Sequence, residues 1–399
     1  MTTVAERWGR GLRRMALALL ALCCCVPAGA QVIGLRPVLC HAVTDSRQAD
    51  EALSSLRFSC AGTPRGYQHG SLWLRATLDR LPIEPRNLAL MVHQSRFDRL
   101  AVAYSYADGA VRWQEVSGGR FGAHWRAGGQ ILFEAPDRDA PVVAVTMRFD
   151  RLAEYGLVHA RLMPQGDSAR QTTALALVVG ASLTLLLIGG LYTFSLAFAL
   201  RRPYLAWHGA WAVCMLLWGG IWSQLHLLIV PGMAGTVSAQ TCTFLSCLAV
   251  TLATVSAVTS FAPRILPRRL RVTTLALGAA VALFGVPLSF VRGPGLMELA
   301  ALLGWLILAD LLAVTICLAL AWRRGATEAR DFAGAWSVPM VTLAIIQLVD
   351  MDDGFWGAGS KLVILLAATW QTLWLTIAAT RRLGRLRIER DRARAGEVL

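Results

Sequence analysis

The positions at which this chain could do chemistry are few. Asp310 lies half-way along an apolar stretch, where an ionisable group is costly and marks either a functional site or polar glue between helices. Its expected partners are Gln347 or Gln371 on neighbouring stretches. His208 and His226 stand 18 residues apart. A single helix would carry both on one face, about 27 Å apart and too far for one metal ion. His226, with Gln224 and Trp222, would line an outward pocket, and Lys361, the only lysine, sits at the outer end of another stretch. In the more polar N-terminal part, Trp73 and Arg75 share the polar side of an alternating segment, and Trp113, His124 and Trp125 follow. These five are candidate lining for a small-molecule site; the competing reading packs the tryptophans on a second sheet or the membrane surface.

Other chemistry is not supported. His41, His69, His93, His124 and His159 lack paired metal-ligand spacing, and no Ser/His/Asp order, HExxH helix or close carboxylate pair stands out. The expectation is a non-enzyme without metal or cofactor. Cys40 and Cys60 are the only cysteine pair in the polar part. An oxidising compartment favours a bridge between them, closing a loop of about 20 residues for about 3 kcal/mol.

The elements that must position these residues divide sharply. Seven apolar stretches fill the C-terminal half: Ala174–Leu200, Tyr204–Val230, Ala234–Phe261, Leu270–Val291, Leu296–Trp322, Phe332–Met351 and Ala358–Thr380. Each reaches the roughly 20 residues a helix needs to cross the hydrocarbon. Strand-like alternation is missing from them, which disfavours a barrel. A mean hydropathy of +0.50 and 55% hydrophobic residues agree with a membrane protein. Arginine collects on one side: Arg201 and Arg202; Arg264, Arg268, Arg269 and Arg271; Arg323, Arg324 and Arg330; then Arg381 through Arg394. The opposite loops carry Arg292 and the acids Asp350, Asp352 and Asp353. The positive-inside rule therefore puts the C-terminus in the cytoplasm. The net charge of +14 is largely this topology charge, facing lipid headgroups and not nucleic acid.

Residues 1–30 have the layout of a signal peptide, with Arg7, Arg10, Arg13 and Arg14, an apolar core Met15–Val26 and Ala28-Gly29-Ala30. Residues 31–171 read as an exported domain of short alternating segments: Ser71–Asp79, Leu88–His93, Arg99–Tyr106, Val111–Val116, Gln130–Glu134, Val142–Phe149 and Leu157–Leu162. Gly-containing turns such as Ala127-Gly128-Gly129 separate them, and Asp45–Ser55 could form a short helix. The predicted fold is thus an all-β sandwich or jelly roll, outside the cytoplasm, followed by an all-α seven-helix membrane bundle at 172–380. Residues 381–399 continue the last span as a basic helix without a Pro break.

The order of motifs resembles that of the bacterial seven-transmembrane receptors with diverse intracellular signalling modules. Gly70-Ser71-Leu72-Trp73-Leu74-Arg75 looks like a strand of their sensor domain, and Arg201-Arg202-Pro203-Tyr204-Leu205-Ala206-Trp207 resembles their first inner loop. Gly325 through Ala329-Arg330-Asp331-Phe332 and Trp336 is similar to the loop entering their sixth span. The run Glu389-Arg390-Asp391-Arg392-Ala393-Arg394-Ala395 looks like the lead-in to a diguanylate cyclase domain. The resemblance implies an inner-membrane receptor, with a periplasmic small-molecule ligand of carbohydrate-like kind. Its output would be a cyclase or histidine kinase, on a separate partner or a longer reading frame, with a homodimer as the working unit. A transporter with an accessory periplasmic domain is the alternative, although no internal repeat supports it.

Overall fold

The structure, a computed structural model, describes residues 32–45, 53–79, 81–93, 95–291, 295–348 and 359–396. The expected signal peptide and most of the expected helix at Asp45–Ser55 lie outside the described residues, and 53–55 form a turn.

The N-terminal part is two antiparallel sheets. One runs in the order β1 (Ile33–Gly34), β10 (Ala160–Pro164), β4 (Leu88–His93), β8 (Gln130–Glu134), β7 (Trp125–Arg126). The other runs β2 (Cys40–Thr44), β3 (Ser71–Thr77), β9 (Val142–Asp150), β5 (Arg99–Tyr106), β6 (Val111–Ser117). Alternation explains the core. Leu72 and Leu74 of β3, Leu90 and Val92 of β4, Leu100 and Val102 of β5, Ile131 and Phe133 of β8, and Met147 and Phe149 of β9 all enter one buried cluster. Tyr104 crosses it. Its buried hydroxyl donates to Phe133 O at 2.7 Å and accepts from Leu90 N at 3.2 Å, leaving neither lone pair nor proton stranded between the sheets. The strand expected at Leu157–Leu162 starts later, because Tyr155–Leu157 winds into a 3-10 turn capped by Glu154.

Among the described residues seven helices follow: α1 (Gln165–Leu200), α2 (Pro203–Trp222), α3 (Thr236–Thr259), α4 (Arg268–Phe290), α5 (Leu296–Arg323), α6 (Thr327–Leu348) and α7 (Gly359–Gly396). Six, among the described residues, are long and apolar enough to cross a membrane, and α6 carries a shorter apolar run, Asp331–Ile346. Two boundaries depart from expectation. The second span was expected to reach Val230, but α2 ends at Trp222, where Gln224 turns left-handed (φ 64°) and Leu225–Leu228 tightens into a 3-10 helix. The first begins at Gln165, directly after β10, ahead of the boundary expected near 171. Its polar first turns are not a linker: Ser168 is fully buried and α1 touches both β4 and β10.

Sandwich and bundle share their packing. Leu227 and Ala234, from the α2–α3 connection, belong to the sandwich core cluster. The Gly128-Gly129 turn presses on the end of α2, with Gly128 N donating to Ser223 O at 3.2 Å. Both glycines have positive φ, and a Cβ on Gly129 would stand 2.8 Å from Trp222 O, so no larger residue fits.

Candidate functional site

The five residues expected to line one ligand site fall into separate places. Trp73, Arg75 and Trp113 project from the outer side of the β2-β3-β9-β5-β6 sheet, with Arg148 in register beside Trp73. Contrary to its reading as a polar-face residue, Trp73 is only 1% exposed. Its indole N–H donates to Thr44 Oγ1 at 3.0 Å, the Arg148 guanidinium lies 5.4 Å over its ring, and Trp113 meets it edge-on at 6.2 Å. Trp73 is thus a packed platform base, and Arg75 is turned over Phe58. Trp113 alone of the three offers a ring to solvent, at 47% exposure.

His124 goes elsewhere. It sits on a 3-10 turn at the end of the other sheet, its ring stacked 4.9 Å from Phe133 and its Nδ1 2.9 Å from Leu132 O. That bond fixes the ring and leaves Nε2 as the adaptable nitrogen. His124 lines a cavity of about 390 Å3 together with Gln114, Arg126, Glu134, Asp137 and Gln165. Gln114 Nε2 donates to Glu134 O at 2.6 Å, which ties β6 to β8 across the gap between the sheets. Gln165 Nε2 donates to Ala135 O at 3.0 Å and Leu88 O at 3.4 Å. Arg126 and Glu134 stand 3.9 Å apart. Amide, carboxylate, guanidinium and imidazole groups converge here, a lining whose chemistry suits a polar ligand. Trp125, next in sequence, turns away and packs against the sandwich core.

Sequence reasoning passed over Gln114, Arg126, Glu134, Asp137 and Gln165, because they come from separate loops and strands and none is unusual by type. Gln165 carried the one readable signal: a polar residue placed between a strand and an apolar helix.

The membrane candidates do not converge either. Asp310 is buried, and the Thr254 hydroxyl on α3 donates to its Oδ2 at 2.6 Å; of the two glutamines expected beside it, Gln371 does not bond it through Nε2, and the side chain of Gln347 lies outside the described residues. His226 is not on the same helix face as His208, since α2 has already ended. Its Nε2 lies 2.8 Å from Ser238 Oγ, and burial holds its pKa below the ordinary 6.5. Gln224 is fully buried at the left-handed turn, and Lys361 is exposed near the start of α7. Cys40 and Cys60 are joined by a disulfide across a sequence separation of 20, beside a bridge between His41 and Ser59. Among the described residues no three His, Cys, Asp or Glu side chains gather to hold a metal ion.

Residues 175–381 match the family model described as 7TM diverse intracellular signalling. No curated protein matches the chain.

Proposed function

Since the chain belongs to the seven-transmembrane receptors of diverse intracellular signalling, a family of membrane sensors, we propose that its sandwich is the periplasmic sensing domain of a bacterial inner-membrane receptor. The ligand is a small polar molecule, polyhydroxylated and carbohydrate-like, held in the cavity of His124, Arg126, Glu134 and Asp137. Such a ligand presents several donors and acceptors at once, which suits a wall of mixed amide, acid and guanidinium groups. The bundle relays occupancy to a cytoplasmic output through the far end of α7, which acts within a homodimer or on a separate partner. Arginine on the loops away from the sandwich supports this orientation.

The observation that carries the reading is the position of Gln165. It is at once a wall of the cavity, a donor to two sandwich carbonyls and the first residue of α1. A ligand that competes for those carbonyls or shifts Glu134 acts on the membrane helix without an intervening linker. The test is a panel of sugars, polyols and amino acids screened by thermal shift on the full chain in nanodiscs. A compound that stabilises the wild type should lose at least tenfold in affinity in Glu134→Ala/Asp137→Asn and keep it in Trp113→Ala. The reverse pattern would move the site to the Trp113 face and overturn the cavity.

A further inference from the structure

We infer that Arg96 and Phe97, adjacent in the connection between β4 and β5, form a two-headed pin that couples the sandwich to α3 and α4. Neither residue lines the cavity, so the pin is a route to the bundle separate from α1 and stands whatever the ligand proves to be.

The two side chains leave the backbone in opposite senses. Phe97 is fully buried in the sandwich core, stacked on Phe121 at 6.2 Å and edge-on to Phe149 at 5.7 Å. Arg96, only 7% exposed, enters the bundle. Its Nη1 donates to Leu288 O at 3.0 Å and Val291 O at 3.1 Å, and its Nη2 donates to Thr243 Oγ1 at 3.0 Å. Leu288 and Val291 lie at the C-terminal end of α4, where carbonyls run out of helical N–H partners and the helix dipole is negative. A guanidinium is the fitting group there, since its fork reaches two carbonyls at once and its charge has the favourable sign. Thr243 lies on α3, so one side chain spans two helices.

The backbone between the heads is held by the sandwich and by the foot of α3. Ala153 N donates to Arg96 O at 2.8 Å, Asp98 N to Asp150 O at 3.0 Å, Gly118 N to Asp98 O at 2.7 Å, and Thr236 Oγ1 to Phe97 O at 3.3 Å. A segment fixed at this many points cannot absorb a displacement of the Phe97 ring by bending. The displacement passes to Arg96 and from there to the end of α4. Burying a guanidinium is costly unless its donors are used, and an anchor alone would be met more cheaply by an apolar side chain. A charged group that must stay bonded to helix ends transmits movement, because losing its acceptors is expensive.

The test is hydrogen–deuterium exchange of the full chain in nanodiscs, read at the last turn of α4. Phe97→Leu loosens the sandwich head and should raise exchange there about tenfold. Arg96→Met should raise it by a similar factor, and Phe97→Leu added to Arg96→Met should add nothing further. Arg96→Lys, which keeps a donor cation, should restore part of the response to Phe97→Leu. Independent effects that multiply in the double variant, or an α4 end indifferent to Arg96→Met, would overturn the pin. Should Arg96→Met fail to insert, Thr243→Val replaces it: reduced transmission from Phe97→Leu supports the pin, and unchanged transmission overturns it.

Discussion

Asp310 is a buried acid that meets a hydroxyl on a neighbouring membrane helix. Thr254 satisfies one of its oxygens at 2.6 Å, in a part of the bundle where α3, α4 and α5 meet. Hydrogen bonds between membrane helices contribute about 0.6 to 2 kcal/mol. Thr254→Val is therefore expected to lower unfolding stability in bicelles by about that much, and Asp310→Asn, which can still accept from the threonine, by less. Asp310 itself was legible as the lone mid-span acid. Its partner was not, because hydroxyl residues recur in several spans and nothing in a sequence ranks them. His226 has a different dependence. Burial depresses its pKa, so the folded loop disfavours the charged ring: its contribution is intact above pH 6.5 and lost as pH falls below that value. Exchange protection across 225–233 should drop in mild acid, and His226→Gln should remove that dependence.

At the level of elements, hydropathy found the apolar helices, and the first of them runs on past its apolar stretch, back to Gln165. Asp167 and Arg170 look like linker residues by type, yet the turns that hold them are helix packed on the sandwich, as buried Ser168 shows. Strands such as Leu88–His93 and Arg99–Tyr106 fall where their alternation puts them, whereas Cys40–Thr44 was passed over, Ala160–Pro164 was placed a turn early, and the two-residue pairings at Ile33–Gly34 and Trp125–Arg126 are too short to display a period. The Gly128-Gly129 turn was visible as a turn, and its role as the contact with α2 was not. Gly129→Ala should cost about 1 to 3 kcal/mol, from positive φ and the close Trp222 carbonyl, as read by thermal unfolding. Removing the disulfide with Cys40→Ser/Cys60→Ser should cost roughly 3 kcal/mol, a loss that a reducing agent reproduces in the wild type.

Across the whole molecule, the division into a sandwich followed by a bundle was legible from composition and period, and the family model agrees over residues 175–381. The shared core was not legible, because Leu227 and Ala234 read as part of a membrane span or its loop until the chain is folded. A shared core predicts that the two parts melt together: calorimetry of the full chain should give one transition, and two resolved transitions would contradict it. The unbroken run of α7 has a mechanical consequence. Its 38 residues make a rod of about 57 Å, well beyond the roughly 30 Å of hydrocarbon. Torque applied at Gly359 therefore arrives at the other end as angular phase. Inserting one alanine after Gly384 should turn every later residue by about 100° and silence or invert signalling, while four inserted alanines come close to a full turn and should bring it back.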